Sequence, residues 1–429
     1  MKKIAFTICA KNYIGLAQTL EKSILKYDPT VDFFIFVADE FTDPAASALL
    51  PENVFIAKEK LAIPVDQWYQ MAFKYDLTEF CTSIKPSCFK YLFAEFNADA
   101  CIYFDPDILV FNNLDIIYNQ LQEFSILLTP HITTIQNVYS GDLMEDKLLY
   151  SGIYNLGFLG LKNDHHAAKM LNWWEIRLKD KCFQNKMENL FTDQKWMDFM
   201  PAYFPKQTLV SCDLGLNVAP WNFYDREIII RDGKKFVRSR LDADHNTSYG
   251  LTFVHFSGYD YKSLLNSEVV QGNIKGMETT PDLRIIFDEY GEYLRNSNFS
   301  KFIQQPYSYF YFSNGSYVSM TYRKLFRRLL EDGKITSNPF DAYGDFYKAL
   351  KDSRLLNEKM ASSDKSSVSN VSGVESKTLR INKLLKLCFK LIGPEKFFLL
   401  VRLMRLYSKI ENHPYLIDGS YLKRFKIWN

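Results

Sequence analysis

The apolar positions along the chain repeat with two different periods. Ile4 to Ala10 and Phe33 to Ala38 are short, nearly uninterrupted apolar runs, the pattern of strands covered on both faces. Between them, Leu16 to Tyr27 carries apolar residues at helical spacing, so the chain opens with a βαβ alternation that implies a parallel sheet. Beyond Pro64 the segment Trp68 to Phe96 is helical in pattern, with Pro86 placed for the first turn of a new helix, where its missing N–H costs nothing. Ala100 to Phe104 predicts a central strand that stops at Asp105-Pro106-Asp107. Ser125 to Thr129 and Gly157 to Leu161 predict further strands, separated by a polar loop from His131 to Tyr150. His165 to Leu178 and Asp193 to Phe199 predict helices, and Phe253 to Phe256 the last clear strand. Helices with aromatic-rich connections follow to about Leu356, and there is no internal repeat. The fold class is α/β, a mixed, mostly parallel sheet flanked by helices, with a helical C-terminal extension.

Composition adds that the core is large: of 429 residues, 47% are apolar and 24% charged. Aromatics reach 16%, which leaves two readings, a Phe-rich core or platforms on which a base or sugars stack. The seven cysteines (Cys9, Cys81, Cys88, Cys101, Cys182, Cys212, Cys388) show no zinc-like spacing and read as buried thiols of a reducing compartment. Met1-Lys2-Lys3 ahead of Ile4 to Ala10 has the outline of a signal peptide, but Lys11 and Asn12 end the apolar run early, and the segment is read as a first buried strand. No run approaches the roughly 20 apolar residues that cross a bilayer. These features point to a cytoplasmic protein.

Two Asp residues at i and i+2 after a buried strand present carboxylate oxygens to one hard cation, Mn²⁺ or Mg²⁺. Open α/β sheets bind ligands at the carboxyl ends of their strands, which is where Asp105 and Asp107 fall. A departing diphosphate needs such a charge beside it.

Ile84-Lys85-Pro86 through Asp105-Pro106-Asp107 resembles the donor-binding half of bacterial glycosyltransferases of the GT-A fold, in particular family-eight-like nucleotide-sugar transferases. Three further motifs come in family order. Tyr154-Asn155-Leu156-Gly157-Phe158 resembles their N-x-G strand, Asp193-Gln194 their D-Q loop, and His255-Phe256-Ser257-Gly258 their late H-x-x-G motif. The resemblance covers residues 4 to 262 and implies a Rossmann-like GT-A sheet. It implies Asp105, Asp107 and His255 as ligands of the ion, and Thr7, Ala10, Asn12 and Asp39 around the nucleotide base and ribose. Lys85, Lys90, Gly258 and Lys262 would meet the diphosphate, although related enzymes carry Lys where Tyr261 stands here, one position before Lys262. Asn155, Asp193 and Gln194 would face the sugar and acceptor. If configuration is retained, Gln194 steadies the oxocarbenium-like centre; if it is inverted, Asp193 is the candidate base. Each has a bland reading beside it: Asp39 as a turn residue or cap, Asp193 as an N-cap, His255 as a core histidine, Lys85 and Lys90 as solvated lysines. Asn217, Trp221 and Asn222 either shape the acceptor pocket or are structural.

The formal charge of +2 is unevenly spread: from Lys377 to Asn429, twelve Lys and Arg face Glu395, Glu411 and Asp418, a net +9 that leaves −7 for the rest. Leu379, Leu384, Leu387 and Leu391 interleave with Arg380, Lys383, Lys386 and Lys390 in an amphipathic basic helix, broken by Gly393-Pro394 and followed by a second run from Phe397 to Ile410. Such a pair lies either in an anionic membrane interface or packed on the main domain. No nucleic-acid module accompanies the charge, so nucleic acid is not an expected partner. The expected organisation is a catalytic GT-A domain over 1–265, a helical extension over 266–359 packed on it, a flexible Ser-rich linker over 360–376, and the basic tail over 377–429.

The expected activity is therefore transfer of a sugar from a nucleotide-sugar donor to a glycan or lipid-linked acceptor, metal-dependent and retaining, in bacterial surface polysaccharide synthesis, with the protein peripheral on the inner face of the plasma membrane. The alternatives are a haloacid-dehalogenase-type phosphatase, which also uses hydrophobic-strand-D-x-D, and a non-catalytic peripheral membrane scaffold.

Overall fold

A computed structural model describes residues 1–41, 49–242, 247–271, 280–335, 337–356 and 373–423. The strands are β1 (Lys3–Cys9), β2 (Asp32–Val37), β3 (Val54–Ile56), β4 (Ala100–Phe104), β5 (Ile108–Val110), β6 (Ile126–Leu128), β7 (Phe158–Lys162), β8 (Gln184–Asn185), β9 (Leu190–Phe191), β10 (Thr208–Val210), β11 (Arg226–Arg231), β12 (Lys234–Ser239), β13 (Tyr249–Gly250) and β14 (Phe253–His255). Seven form one sheet in the order β10-β6-β7-β4-β1-β2-β3. Only β7 among them runs against its neighbours, β4 and β6; the other pairings are parallel. This is the mixed, mostly parallel sheet flanked by helices that the sequence predicts.

The apolar runs explain its centre: β1, β2 and β4 are buried almost throughout because helices cover both faces. The first helix, Ile14–Tyr27, packs Ile14, Ala17, Leu20 and Ile24 into the same core as Ile35, Ile102 and Ile117. The helical stretch from Trp68 to Phe96 is three helices, Val65–Lys74, Leu77–Ser83 and Lys85–Phe96, the last with Pro86 in its first turn as expected. Four features escaped the sequence pattern. β3 and β5 are only three residues long, the β11–β12 hairpin alternates too weakly to announce itself, and the polar loop after His131 contains a helix, Glu145–Ser151.

Two compact units divide the chain: Met1–Ile63 with Leu77–Ser308, and Pro64–Asp76 with Tyr309–Asn429. The first holds the sheet and the helices Pro281–Arg295 and Phe299–Phe302. The second is helical. Its core gathers Phe312, Phe326, Phe340 and Phe346 around the Phe73 ring, at centroid distances of 4.8 to 5.8 Å. Most of the linker expected at 360–376 lies outside the described residues; from Val374 the chain is helical to Tyr407, with Gly393 out of helical geometry where the break was expected. None of that helix's residues is buried. No described cysteine is in a disulfide, but Cys212 is exposed and Cys81 and Cys388 are half-buried, so only four of the seven are the buried thiols expected. Cys212 departs because it lies in the loop after β10, outside the sheet.

Candidate active site at the end of the central strand

β4 ends at Phe104, and the Asp105-Pro106-Asp107 turn carries the chain directly into β5. β5 pairs with β14 in antiparallel register, His255 opposite Ile108, which brings the imidazole of a residue distant in sequence against the turn. Nε2 of His255 is 3.1 Å from Oδ1 of Asp107 and 3.7 Å from Oδ2 of Asp105. One ligand atom from each of the three lies within 4.8 Å of the others, a set able to share a single ion. The His255 side chain is 3% exposed, whereas Asp105 and Asp107 keep 30% and 16%, so the carboxylates remain reachable.

The surroundings treat the two carboxylates differently. Burial raises the Asp105 carboxyl above its ordinary value, against the pull of Lys85 and His255. Burial acts on Asp107 too, but the His255 imidazole and the Tyr261 hydroxyl outweigh it and hold that carboxyl below the usual range. Burial also opposes charge on His255, and the two carboxylates overcome it, so its pKa is raised. Tyr103 donates to Oδ1 of Asp105 at 2.5 Å, and Tyr261 to Oδ2 of Asp107 at 2.8 Å. Neither tyrosine was singled out from sequence, except that Tyr261 stands where related enzymes carry Lys.

Asn155 sits just before β7 and is 7% exposed. Its Oδ1 accepts from the Gly157 N–H at 3.2 Å and from Nδ2 of Asn217 at 3.1 Å, and it lies 3.1 Å from Nδ1 of His255. Gly157 must be glycine: a Cβ there would come within 2.3 Å of Cε1 of His255. The edge of Trp221 meets the imidazole from another side, with centroids 5.2 Å apart. Gln194 is anchored at both ends of its amide, Oε1 accepting from the Leu156 N–H at 3.0 Å and Nε2 donating to the Ser151 carbonyl at 3.0 Å. Asp193 precedes the 3₁₀ helix Gln194–Phe199 but makes no cap; it is 2% exposed and pairs with Nζ of Lys85 at 2.5 Å. Lys85 is 1% exposed, donates also to the Leu156 carbonyl, and stands over the Tyr103 ring, so it is no solvated lysine. Asn222 is structural, accepting from Ala219 N–H and donating to the carbonyls of His131 and Asn217.

The remaining candidates are scattered. Lys90 is bound to Glu175 on the helix His165–Lys181. Lys262 is exposed at the start of a short helix capped by Asp260. Gly258 adopts φ +76°, a conformation open to glycine at little cost. Asp39 is buried and accepts from the N–H groups of Lys11 and Ser308, with Nζ of Lys11 at 3.3 Å. Thr7, within β1, and Ala10, just after it, are both buried. Oγ1 of Thr7 and Oδ1 of Asn12 are buried polar atoms with no hydrogen-bond partner among the described residues.

No family model matches the chain. It is 27% identical over 297 residues to YfnF, an uncharacterized protein of Bacillus subtilis (strain 168), which spans 67% of this chain and 90% of that protein. Among solved structures it is similar to the galactosyltransferase LgtC in complex with donor and acceptor sugar analogs, at 14% identity over 68% of this chain and 96% of that one, with a TM-score of 0.37. It is also similar to the bifunctional WbbM (13% identity, 70% and 51% covered, TM-score 0.39) and to the glycosyltransferase GlyE of Streptococcus pneumoniae TIGR4 (14% identity, 73% and 67% covered, TM-score 0.34). These likenesses are distant, and the chemistry of the site stands on the distances above.

Proposed function

We propose that this chain is a nucleotide-sugar-dependent glycosyltransferase, with Asp105, Asp107 and His255 holding one divalent ion. The observation that carries the reading is the convergence of two carboxylates and one imidazole nitrogen at the carboxyl end of the central strand. The mixed oxygen and nitrogen set suits Mn²⁺, with Mg²⁺ as the alternative. Such an ion supplies positive charge to a departing diphosphate. The unpaired Oγ1 of Thr7 and Oδ1 of Asn12 lie near the end of β1, where a nucleotide's base and ribose would satisfy them.

The stereochemical reading is retention. An inverting transferase needs a carboxylate free to take the acceptor's proton, and Asp193 is committed to Lys85 inside the protein. With retention the leaving phosphate helps to deprotonate the acceptor, and no such base is required. The acceptor is a glycan or lipid-linked glycan, in bacterial surface polysaccharide synthesis. The basic helix from Val374 brings the protein to an anionic membrane surface on the cytoplasmic side: Leu384, Leu391 and Leu399 are 66%, 75% and 57% exposed among its lysines and arginines.

The test is a thermal-shift screen of nucleotide diphosphates and nucleotide sugars, with and without Mn²⁺, on wild type and Asp107→Ala. Ligand at about 100 times Kd should add roughly 2.7 kcal/mol to wild-type stability with one nucleotide, only when Mn²⁺ is present, and nothing to the variant. A folded wild type that responds to no nucleotide would transfer the case to the phosphatase or the scaffold.

A further inference from the structure

The atom of Asn155 nearest His255 is decided by its other neighbours. A backbone N–H can only donate, so the atom that receives the Gly157 N–H is the amide oxygen. The side-chain nitrogen of Asn217 approaches the same atom and also reaches Oγ1 of Thr129 at 2.9 Å, which uses both of its hydrogens. An oxygen so placed accepts and cannot donate. The Nδ1 of His255, 3.1 Å away, must therefore carry a proton, and Nε2 is left as the ring atom that faces Asp107 and Asp105.

We propose that Asn155 is a positioning residue: it fixes the His255 ring with Nδ1–H bonded to its amide oxygen and Nε2 presented to the ion. This rests on the metal reading of the preceding subsection and stands beside the sugar-facing role expected of Asn155. Ligating histidines in general owe their orientation and tautomer to the partner on the other ring nitrogen, and losing that partner weakens metal binding about 10- to 100-fold. Here the partner is neutral, and it is held in turn by Asn217 and the Gly157 backbone, so the Asn155 amide cannot turn over without breaking three hydrogen bonds.

The experiment compares full-length wild type with Asn155→Leu, Asn155→Asp, His255→Ala and Asp107→Ala, measuring Mn²⁺ affinity by electron paramagnetic resonance and the His255 ring by ¹⁵N-histidine NMR on metal-free protein. Asn155→Leu removes the acceptor and is expected to weaken Mn²⁺ binding about 10- to 100-fold and to speed exchange of the Nδ1 proton; Asn155→Asp, which keeps an oxygen there, restores both. A purely structural role would not be rescued in this way. If wild type binds Mn²⁺, Asp107→Ala and His255→Ala lose it, and Asn155→Leu matches wild type, the positioning role falls while the metal site stands. If wild type binds no Mn²⁺ the metal reading falls, and a slow-exchanging Nδ1 proton insensitive to Asn155→Leu overturns the hydrogen bond itself. Circular dichroism of each variant separates these outcomes from unfolding.

Discussion

His131 is a buried side chain, 5% exposed, whose ring bonds the Ile153 carbonyl through Nδ1 at 3.1 Å. Burial pushes its pKa down to about 4, against the help of that carbonyl, so it stays neutral in the folded protein well below pH 6. The unfolded chain binds its proton near 6.5, so between pH 6.5 and 4 the unfolded state holds one proton more than the folded state. Stability from this group is whole above 6.5 and declines as pH falls through that window, by about 1.4 kcal/mol per unit and roughly 3 kcal/mol in all. His131→Asn should flatten the dependence of unfolding free energy on pH between 4 and 6.5 by that amount, measured by urea denaturation; an unchanged slope would mean that the imidazole is protonated in the folded protein. Sequence gave no sign of this. It put His131 at the edge of a polar loop, because burial there depends on Trp221, whose ring lies 5.2 Å from it and which sits about 90 residues later. Asp105, Asp107 and His255, by contrast, were legible. Each stands at the end of an apolar run, and a strand's carboxyl end is a place the pattern can locate. The contacts of Asn155 were not legible, since Asn217 and His255 stand 62 and 100 residues further along the chain, beyond what a local pattern can pair.

At the scale of elements, the helix Met320–Glu331 shows how the second unit is tied together. Arg323 is 1% exposed and donates to the carbonyls of Ala72, Phe73 and Tyr75 at 2.8 to 2.9 Å and of Tyr309 at 2.5 Å. The carbonyls of Ala72, Phe73 and Tyr75 lie at the end of the helix Val65–Lys74, where the helix supplies no further N–H groups in sequence. The guanidinium therefore acts as a C-terminal cap delivered from another helix. Arg323→Met keeps much of the bulk but takes the guanidinium away from four buried carbonyls, and should destabilise the unit by about 3 kcal/mol. Hydrogen exchange in Met320–Glu331 would read this as lost protection; wild-type protection would show that water reaches those carbonyls. The sequence predicted this helix only as part of a vague helical tract. Arginines on an amphipathic helix ordinarily face solvent, and nothing local distinguishes Arg323 from one that does.

Over the whole molecule, charge is distributed as the sequence reads it, with the strongly basic C-terminal stretch set against an acidic remainder. Among the described residues no helix is long and apolar enough to cross a membrane. Full-length protein should bind phosphatidylcholine vesicles containing a third phosphatidylglycerol, and not pure phosphatidylcholine vesicles, with binding that weakens steeply as salt shortens the Debye length from about 10 Å at 0.1 M to about 3 Å at 1 M. Leu384→Gln with Leu391→Gln should weaken it at constant net charge. Equal partitioning of wild type and the double variant would remove the apolar face from the account.

The cluster of Asp105, Asp107 and His255 also has a place in time. Asp107 and His255 meet only because β14 pairs with β5, across about 150 residues of intervening chain, and long closures of this kind are slow and come late in folding. Until β14 docks, the nascent sheet owns a pair of carboxylates and no imidazole, a weak and unselective trap for cations. On the proposed function, competence to hold an ion would thus arrive with this long-range pairing, after the sheet is closed.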